Sequence, residues 1–416
     1  MAKSGVDVVW KKYSEGVSET IDELLESRSA DLNPDFAFVF TSPEVDVREL
    51  NSALDSKLDC NYVGCTTAGE ITPEGPKENT LTAMFVDRED IEFSISLREE
   101  IHDQPREKGQ KIAEEVMEDL DDEENNALFL LTSGVTRVKR PVGYKVLKGL
   151  SSVVPSEIPI SGGSSGDNMN LKKTFQFANG KLMEGGAIAV SISTSLPVES
   201  VQAHGKDNAK ATGVVTKSEG REIVEIGDRS AAEFYADAID EDLSELEKLY
   251  DLPLAKELSF GLSYLKNKIL RRDPITVGQI FNYSLEYAIS EELGPKEEIV
   301  TQPISVTDRG GILLSRSIEE NQVIKVLEGE REEIVSAGSR AVKDISDPVL
   351  ALFADCATRK ELLDETELDN EVSQITEEIG ENFAGWYAMG EVGQGENLLC
   401  THMNQTVSGL VIGPKD

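Results

Sequence analysis

A glycine motif that returns along the chain restricts its fold more than any other feature. Residues 64–71 read GCTTAGEI and residues 385–392 read GWYAMGEV. Both are glycine, four residues, Gly-Glu and a β-branched aliphatic. A degenerate copy, GGSSGDN at 162–168, is one residue shorter and carries Asp167 in place of the glutamate. What precedes each copy also recurs. FAFVFTS, ALFLLTSG and ALFADCA are apolar runs ending in small or polar residues, and a helical stretch leads from each to the glycines. The two outer copies are followed by strands with a similar entry, ENTLTAMFV and MNQTVSGLVI. Duplication of a strand, helix, glycine motif and strand accounts for this order.

The remaining periodicity agrees with alternating strands and helices. PREKGQKIAEEVMEDL opens on proline and puts Ile112, Val116 and Leu120 on one helical face. EVSQITEEIGENF does the same with Val372, Ile375, Ile379 and Phe383. Asn179-Gly180 marks a hairpin turn between strand-like runs, and KSEGREIVEIGDRSAAEFYADAI reads as hairpin, then helix. The expected class is a mixed α/β fold of two related domains, built from the repeated units and packed around a shared cleft. A length of 416 residues suits two cores better than one. The expected divisions are an N-terminal strand and helix (1–33), a first domain (34–215) and a second (216–416). The break is placed where composition shifts in HGKDNAKATG. SEELGPKEEIVTQP is read as a polar connection inside the second half.

The net charge of −37, from 78 acids against 41 bases, sits on helix-like runs such as SETIDELLES and is not gathered in a tail. Such a surface suits a salty cytoplasm, where ions screen the self-repulsion. An acidic docking face for a basic partner is the competing reading. Nucleic-acid binding is excluded for want of a basic footprint. The four cysteines show no CxxC spacing, which argues against structural zinc. No run is long enough for a membrane span and the N-terminus lacks a signal-peptide core. A soluble, cytoplasmic protein is expected.

In α/β layers ligands collect where strands end and loops converge. Gly64, Gly163 and the hydroxyls of Thr66, Thr67, Ser164 and Ser165 could line such a place, with Glu70, Asp167 and Glu391 as acids and Tyr387 inside the last copy. The alternative is that these are packing turns whose acids satisfy backbone amides. Arg359, just after ALFADCA, could grip a carboxylate through its planar fork. With Glu70, Glu391 or Asp167 it would clamp a zwitterion; paired to one of them it would lock two domains. Cys65 and Cys356 lack an evident base among His102, His204 and His402, so small buried thiols are the expectation. GGSSGD lacks both the nucleophile-elbow and the P-loop pattern. No cofactor is expected. Haem, with His402 beside Met403 as candidate ligand, is the alternative.

Taken in order, these motifs resemble the FIST family. VGCTTAGEI is similar to the signature of its N-terminal domain, and PISGGSSGDN followed by FQFANGKLMEGGAIAVSI to that domain's later glycine motif and closing hairpin. LFADCATRK, FAGWYAMGEVG and HMNQT resemble its C-terminal domain. The family-like positions are Gly64, Cys65, Thr66, Gly69 and Glu70, then Cys356, Arg359, Gly390, Glu391 and Thr406. The resemblance implies a sensory module binding a small ligand, with amino acids among the proposed ligands; on the residues weighed above no enzyme is expected. Some members are haem-based nitric oxide sensors. It further implies a signal passed to a separate partner, such as a kinase. A hydrolase or transferase using Cys65 is the reading from another class.

Overall fold

The computed structural model describes residues 5–413 except 15, 122–123, 135–141, 171, 244–285, 295–296, 308 and 396–399. The repeat is realised three times. The first unit runs β1 (Val6–Lys12), α1 (Val17–Ser27), β2 (Phe36–Thr41), α2 (Val47–Lys57), β3 (Asn61–Thr66), a short hairpin of β4 (Glu70–Thr72) and β5 (Gly75–Lys77), and β6 (Thr80–Val86). The second runs β7 (Ile91–Arg98), α3 (Pro105–Asp119), β8 (Asn125–Thr132), α4 (Gly143–Leu150), β9 (Ile160–Ser164), the hairpin β10 (Phe175–Ala178) and β11 (Lys181–Glu184), and β12 (Ala187–Thr194).

The third unit begins with β13 (Val198–Ala203) and is then interrupted. The insertion comprises β14 (Asn208–Glu219), β15 (Glu222–Ile226), β16 (Arg229–Ser230), α5 (Ala231–Ala238), β17 (Tyr287–Gly294), β18 (Glu297–Thr301), β19 (Pro303–Val306), β20 (Ile312–Leu314) and β21 (Val323–Glu328). The unit resumes with α6 (Arg331–Val335), α7 (Ala337–Val342), β22 (Leu350–Cys356), α8 (Ala357–Leu362), α9 (Glu365–Ile379), β23 (Phe383–Ala388), the hairpin β24 (Glu391–Gln394) and β25 (Cys400–Met403), and β26 (Val407–Ile412).

Each unit makes a sheet with the same strand order, and each sheet is finished by a neighbour's hairpin. The orders are β1-β6-β2-β3-β10-β11, β7-β12-β8-β9-β24-β25 and β13-β26-β22-β23-β4-β5. The first unit thus lends its hairpin to the third, the third to the second and the second to the first. Within each unit one pair is parallel: β2 with β3, β8 with β9, β22 with β23. The insertion forms a fourth sheet, β18-β17-β21-β14-β15-β20-β19, with β16 beside β15.

Strand alternation sends side chains to two layers. Inward, Phe36, Phe38 and Phe40 of β2 meet Phe129 and Leu131 of β8, and Ala354 and Trp386 of the third unit, in one central core. Trp386 is the hub. Its ring stacks on Phe40 at 4.9 Å, meets Phe129 edge-on at 5.7 Å and donates its N–H to Ser164 O at 3.2 Å. Outward, each sheet is covered by its own helices: Ile21, Leu24, Leu50 and Leu54 in the first unit, Ile112, Val116, Val146 and Leu150 in the second, Val342, Val372, Ile375 and Ile379 in the third.

Local chemistry explains where the helices start. Asp46 accepts from the N–H groups of Arg48 and Glu49 at the head of α2, and Asp364 with Glu367 forms a capping box on α9. Pro105 opens α3 as expected. Phe383, counted above on a helical face, instead begins β23 after the chain turns at Gly380. The Asn179-Gly180 turn has positive φ at both residues, 42° and 77°, as the hairpin β10–β11 requires. SEELGPKEEIVTQP is no simple connection. It spans most of the paired strands β17 and β18, with Ser290, Ile299 and Val300 buried. The composition shift in HGKDNAKATG falls where the chain leaves β13 for the fourth sheet. Among the described residues no helix is long and apolar enough to cross a membrane.

Candidate functional site

The parallel pairs align the three glycine motifs. Gly64 lies opposite Val39, Gly162 opposite Leu130 and Gly385 opposite Phe353. A Cβ on any of them would stand 2.1, 2.1 or 2.5 Å from the facing carbonyl oxygen, so the first glycine of each motif is needed for the strands to close. The second glycine, Gly69 or Gly390, has a φ of 127° or 117° and turns the chain into the lent hairpin. The motifs meet backbone to backbone: Tyr387 N donates to Gly69 O at 2.8 Å, Ser164 N to Gly390 O at 2.8 Å and Gly166 N to Thr66 O at 2.8 Å.

Register also identifies the residue following each turn. Glu70 faces Trp386, Gln176 faces Cys65 and Glu391 faces Gly163, so these three are equivalent. Asp167 is therefore not the counterpart of the two glutamates. The second motif carries extra residues before its hairpin, and Asp167 instead caps that loop, accepting from Lys172 N at 2.5 Å and Lys173 N at 3.1 Å. Gln176 was missed because it lies beyond this insertion, where sequence spacing no longer matches.

In the first unit Glu70 is fully enclosed by hydroxyl donors. Ser42 donates at 3.0 Å and Thr67 at 2.5 Å, and Thr80 also donates. Burial nevertheless pushes its carboxyl up to about 7. Gln176 does the same work without charge: Nε2 donates to Ser165 Oγ at 2.7 Å, and Oε1 accepts from Gly186 N at 2.7 Å. Glu70→Gln should therefore fold. A carboxyl raised in the folded state contributes stability that is present below its unfolded pKa and lost as pH rises toward about 7. The variant should lack that loss, gaining on the wild type by up to about 3 kcal/mol between pH ~5 and ~8. Denaturant melts of both proteins across that range test this; parallel pH slopes would contradict it.

The remaining first- and second-unit candidates are occupied by neighbours. Thr66 Oγ1 accepts from Phe175 N at 3.0 Å, and Ser164 Oγ pairs with Thr132 Oγ1 at 2.9 Å. Gly163 packs against Ala354 and Trp386. Cys65 is wholly buried beside Ser165 and Glu70, and burial holds its thiol protonated. His402 lies on β25 with its ring against Gly390 and Arg316 nearby. Met403 follows it on the strand and so faces the opposite way, which prevents the two from sharing one iron.

The third unit differs. Where the others pair Thr41 with Thr66 and Thr132 with Ser164, it pairs Asp355 with Tyr387. Arg359 is 2% exposed and does not reach Glu70 or Asp167. Its Nε donates to Asp355 at 2.7 Å, and Nη2 donates to Ile334 O at 3.0 Å and to Glu371. Nη1 donates to His204 O at 3.4 Å. Its partners are thus other acids than the three considered above, and they tie together β22, α6, α9 and the end of β13 within one unit. Both acids were legible as letters only; their meeting depends on α9 folding back over the sheet.

Beyond these pairs, polar atoms outnumber partners. Glu371 Oε2, Tyr387 Oη and Glu391 Oε1 are buried without a hydrogen-bond partner. Burial raises Asp355, Glu371 and Glu391 above the usual carboxylate range, Asp355 bearing further on both glutamates. Burial and the charges of Asp355 and Glu371 likewise raise Tyr387. Cys356, beside Glu391 and 2.9 Å from Thr358 Oγ1, stays a thiol for the same reasons. Among the described residues no group of His, Cys, Asp and Glu is disposed to hold a metal ion.

No curated protein matches the chain by sequence. A crystal structure of chorismatase aligns with 98% of each chain at 8% identity and a TM-score of 0.33, a likeness too slight to bear on function. Two family models do match: the FIST N domain over residues 35–229 and the FIST C domain over residues 231–394. The chain belongs to the FIST family, whose domains are sensory modules of signal transduction and typically non-enzymatic.

Proposed function

We propose that this protein senses a small zwitterion of the amino-acid class at the third unit and passes the signal to a separate protein such as a kinase. The observation that carries the reading is the buried surplus of polar atoms around Arg359. A ligand ammonium offers donors, and Glu371 Oε2, Glu391 Oε1 and Tyr387 Oη are acceptors in want of them. The ligand carboxylate is drawn to the same place by the charge of Arg359, whose Nη1 is held only by the long 3.4 Å bond to His204 O. Glu70, Thr66, Thr67 and Ser164 support the strand ends and do not enter the contact surface in this reading.

Titration calorimetry with the twenty amino acids and their decarboxylated and deaminated analogues tests it. Glu391→Gln should be at least as stable as the wild type, because the amide matches the carboxyl in shape and removes a group whose charged form burial disfavours. It should weaken the bound amino acid roughly ten- to a hundredfold, as loss of a charge-assisted hydrogen bond implies. Binding that is indifferent to Glu391→Gln, or no heat from any member of the panel, would remove the reading.

A further inference from the structure

Lys206 is the one lysine among the described residues that is buried, with 1% of its surface exposed. It follows Gly205, whose φ is 70°, in the turn from β13 to β14, and its N–H donates to His204 Nδ1 at 3.0 Å. Its stem is pinned: a Cβ on Gly329 would stand 2.8 Å from Lys206 Cγ. Nζ donates to Glu286 O at 3.3 Å. Arg359 Nη1 reaches the same turn from the other side through His204 O. Two cationic side chains therefore lie together out of water, an arrangement that disfavours charge on the weaker one. Burial and then Arg359 bring the Lys206 amine down to about 7, so much of it is neutral and nucleophilic near neutral pH.

We propose that Lys206 is a carbamylation site, whose amine reversibly takes up carbon dioxide and whose carbamate is held by Arg359. In the step, the Nζ lone pair forms a bond to the carbon of CO2. One C=O electron pair moves onto oxygen, and Nζ releases one proton to solvent. Lys–NH2 and CO2 become Lys–NH–COO⁻ and H⁺, with nothing oxidised or reduced. The chemistry fits the place in two ways. Carbon dioxide is small and apolar, so it can reach a side chain with 1% of its surface exposed where a larger carbonyl compound would need the fold to open. The product also exchanges a repulsion between neighbouring cations for an attraction between a carbamate and a guanidinium, which has hydrogens on Nη1 beyond the long bond to His204 O.

The test is carbon NMR of the intact protein in ¹³C-bicarbonate at about pH 7.5, with no amino acid present. A carbamate resonance is expected in the wild type and should vanish in Lys206→Arg. Because that variant could misfold, wild-type protein treated with triethyloxonium is also digested and mapped by mass spectrometry. The Lys206 peptide should carry the labelled ethyl carbamate at least about tenfold above exposed lysines, whose neutral fraction near pH 7.5 is far smaller. Wild-type protein with no carbamate at Lys206, or with labelling unchanged after unfolding in urea, overturns the proposal. Neither outcome touches the amino-acid reading, which the Glu391→Gln titration decides separately.

Discussion

Arg359→Met is expected to lower the stability of the protein by about 3–5 kcal/mol, because it strips the cation from two buried acids at once. Asp355 and Glu371 would then be enclosed without their shared partner. Arg359→Lys should cost less but remain clearly destabilising, since an ammonium cannot serve both carboxylates and two carbonyls through one planar fork. The Met deficit should depend on pH in a defined direction. Both acids have raised folded pKa values even with Arg359 present. Removing it raises them further, so the deficit grows as pH increases and shrinks in mild acid, where protonation discharges the pair. Adding Glu371→Gln to the Met variant should recover part of the loss. Denaturant unfolding followed by tryptophan fluorescence measures all three proteins. Full stability in Arg359→Met would show that the tie is dispensable.

Trp386→Ala should have a cost of similar size, about 3–5 kcal/mol, from a different cause. The indole is wholly buried, and its loss leaves a cavity at the contact of three units and removes one of the two hydrogen bonds to Ser164 O, which keeps the one from Met389 N. Trp386→Phe keeps the stacking on Phe40 and should recover much of the loss. The distribution of the damage is the informative part. Phe40 belongs to the first unit and Phe129 to the second, so hydrogen exchange should quicken in β2 and β8 as well as in β23. Faster exchange confined to the third unit would mean that the units are stable independently of their common core.

The α/β class and the repeat were legible because they rest on local signals: apolar runs of strand length, helical periodicity and glycines at fixed spacing. Asn179-Gly180 and Pro105 behaved as their backbone chemistry dictates. The degenerate copy in the second unit was legible only in part. Its first glycines align, but the loop that follows breaks the spacing, and Asp167 stood in for the more distant Gln176. Arg359 was singled out by its place after a buried strand. Its partners, Asp355 near the end of the preceding strand and Glu371 on a later helix, carry no mark that separates them from dozens of surface acids. Burial makes that distinction, and burial is a property of the packed units. The lent hairpins left no trace in the sequence at all, since a hairpin looks the same whichever sheet receives it.

That lending has a consequence for the order in which the chain can be completed. The hairpin beginning at Glu70 pairs with Trp386, about 300 residues further on. At ~5–20 residues per second, synthesis must continue for roughly 15–60 s before the first lent hairpin finds its sheet. Until then the nascent chain carries an unclaimed hairpin, and β9 presents an unpaired edge that waits for β24. Open edges of this kind join readily to those of other chains. The dense negative charge of the helices acts throughout that interval, keeping unfinished copies apart on neighbouring ribosomes until each chain can close upon itself.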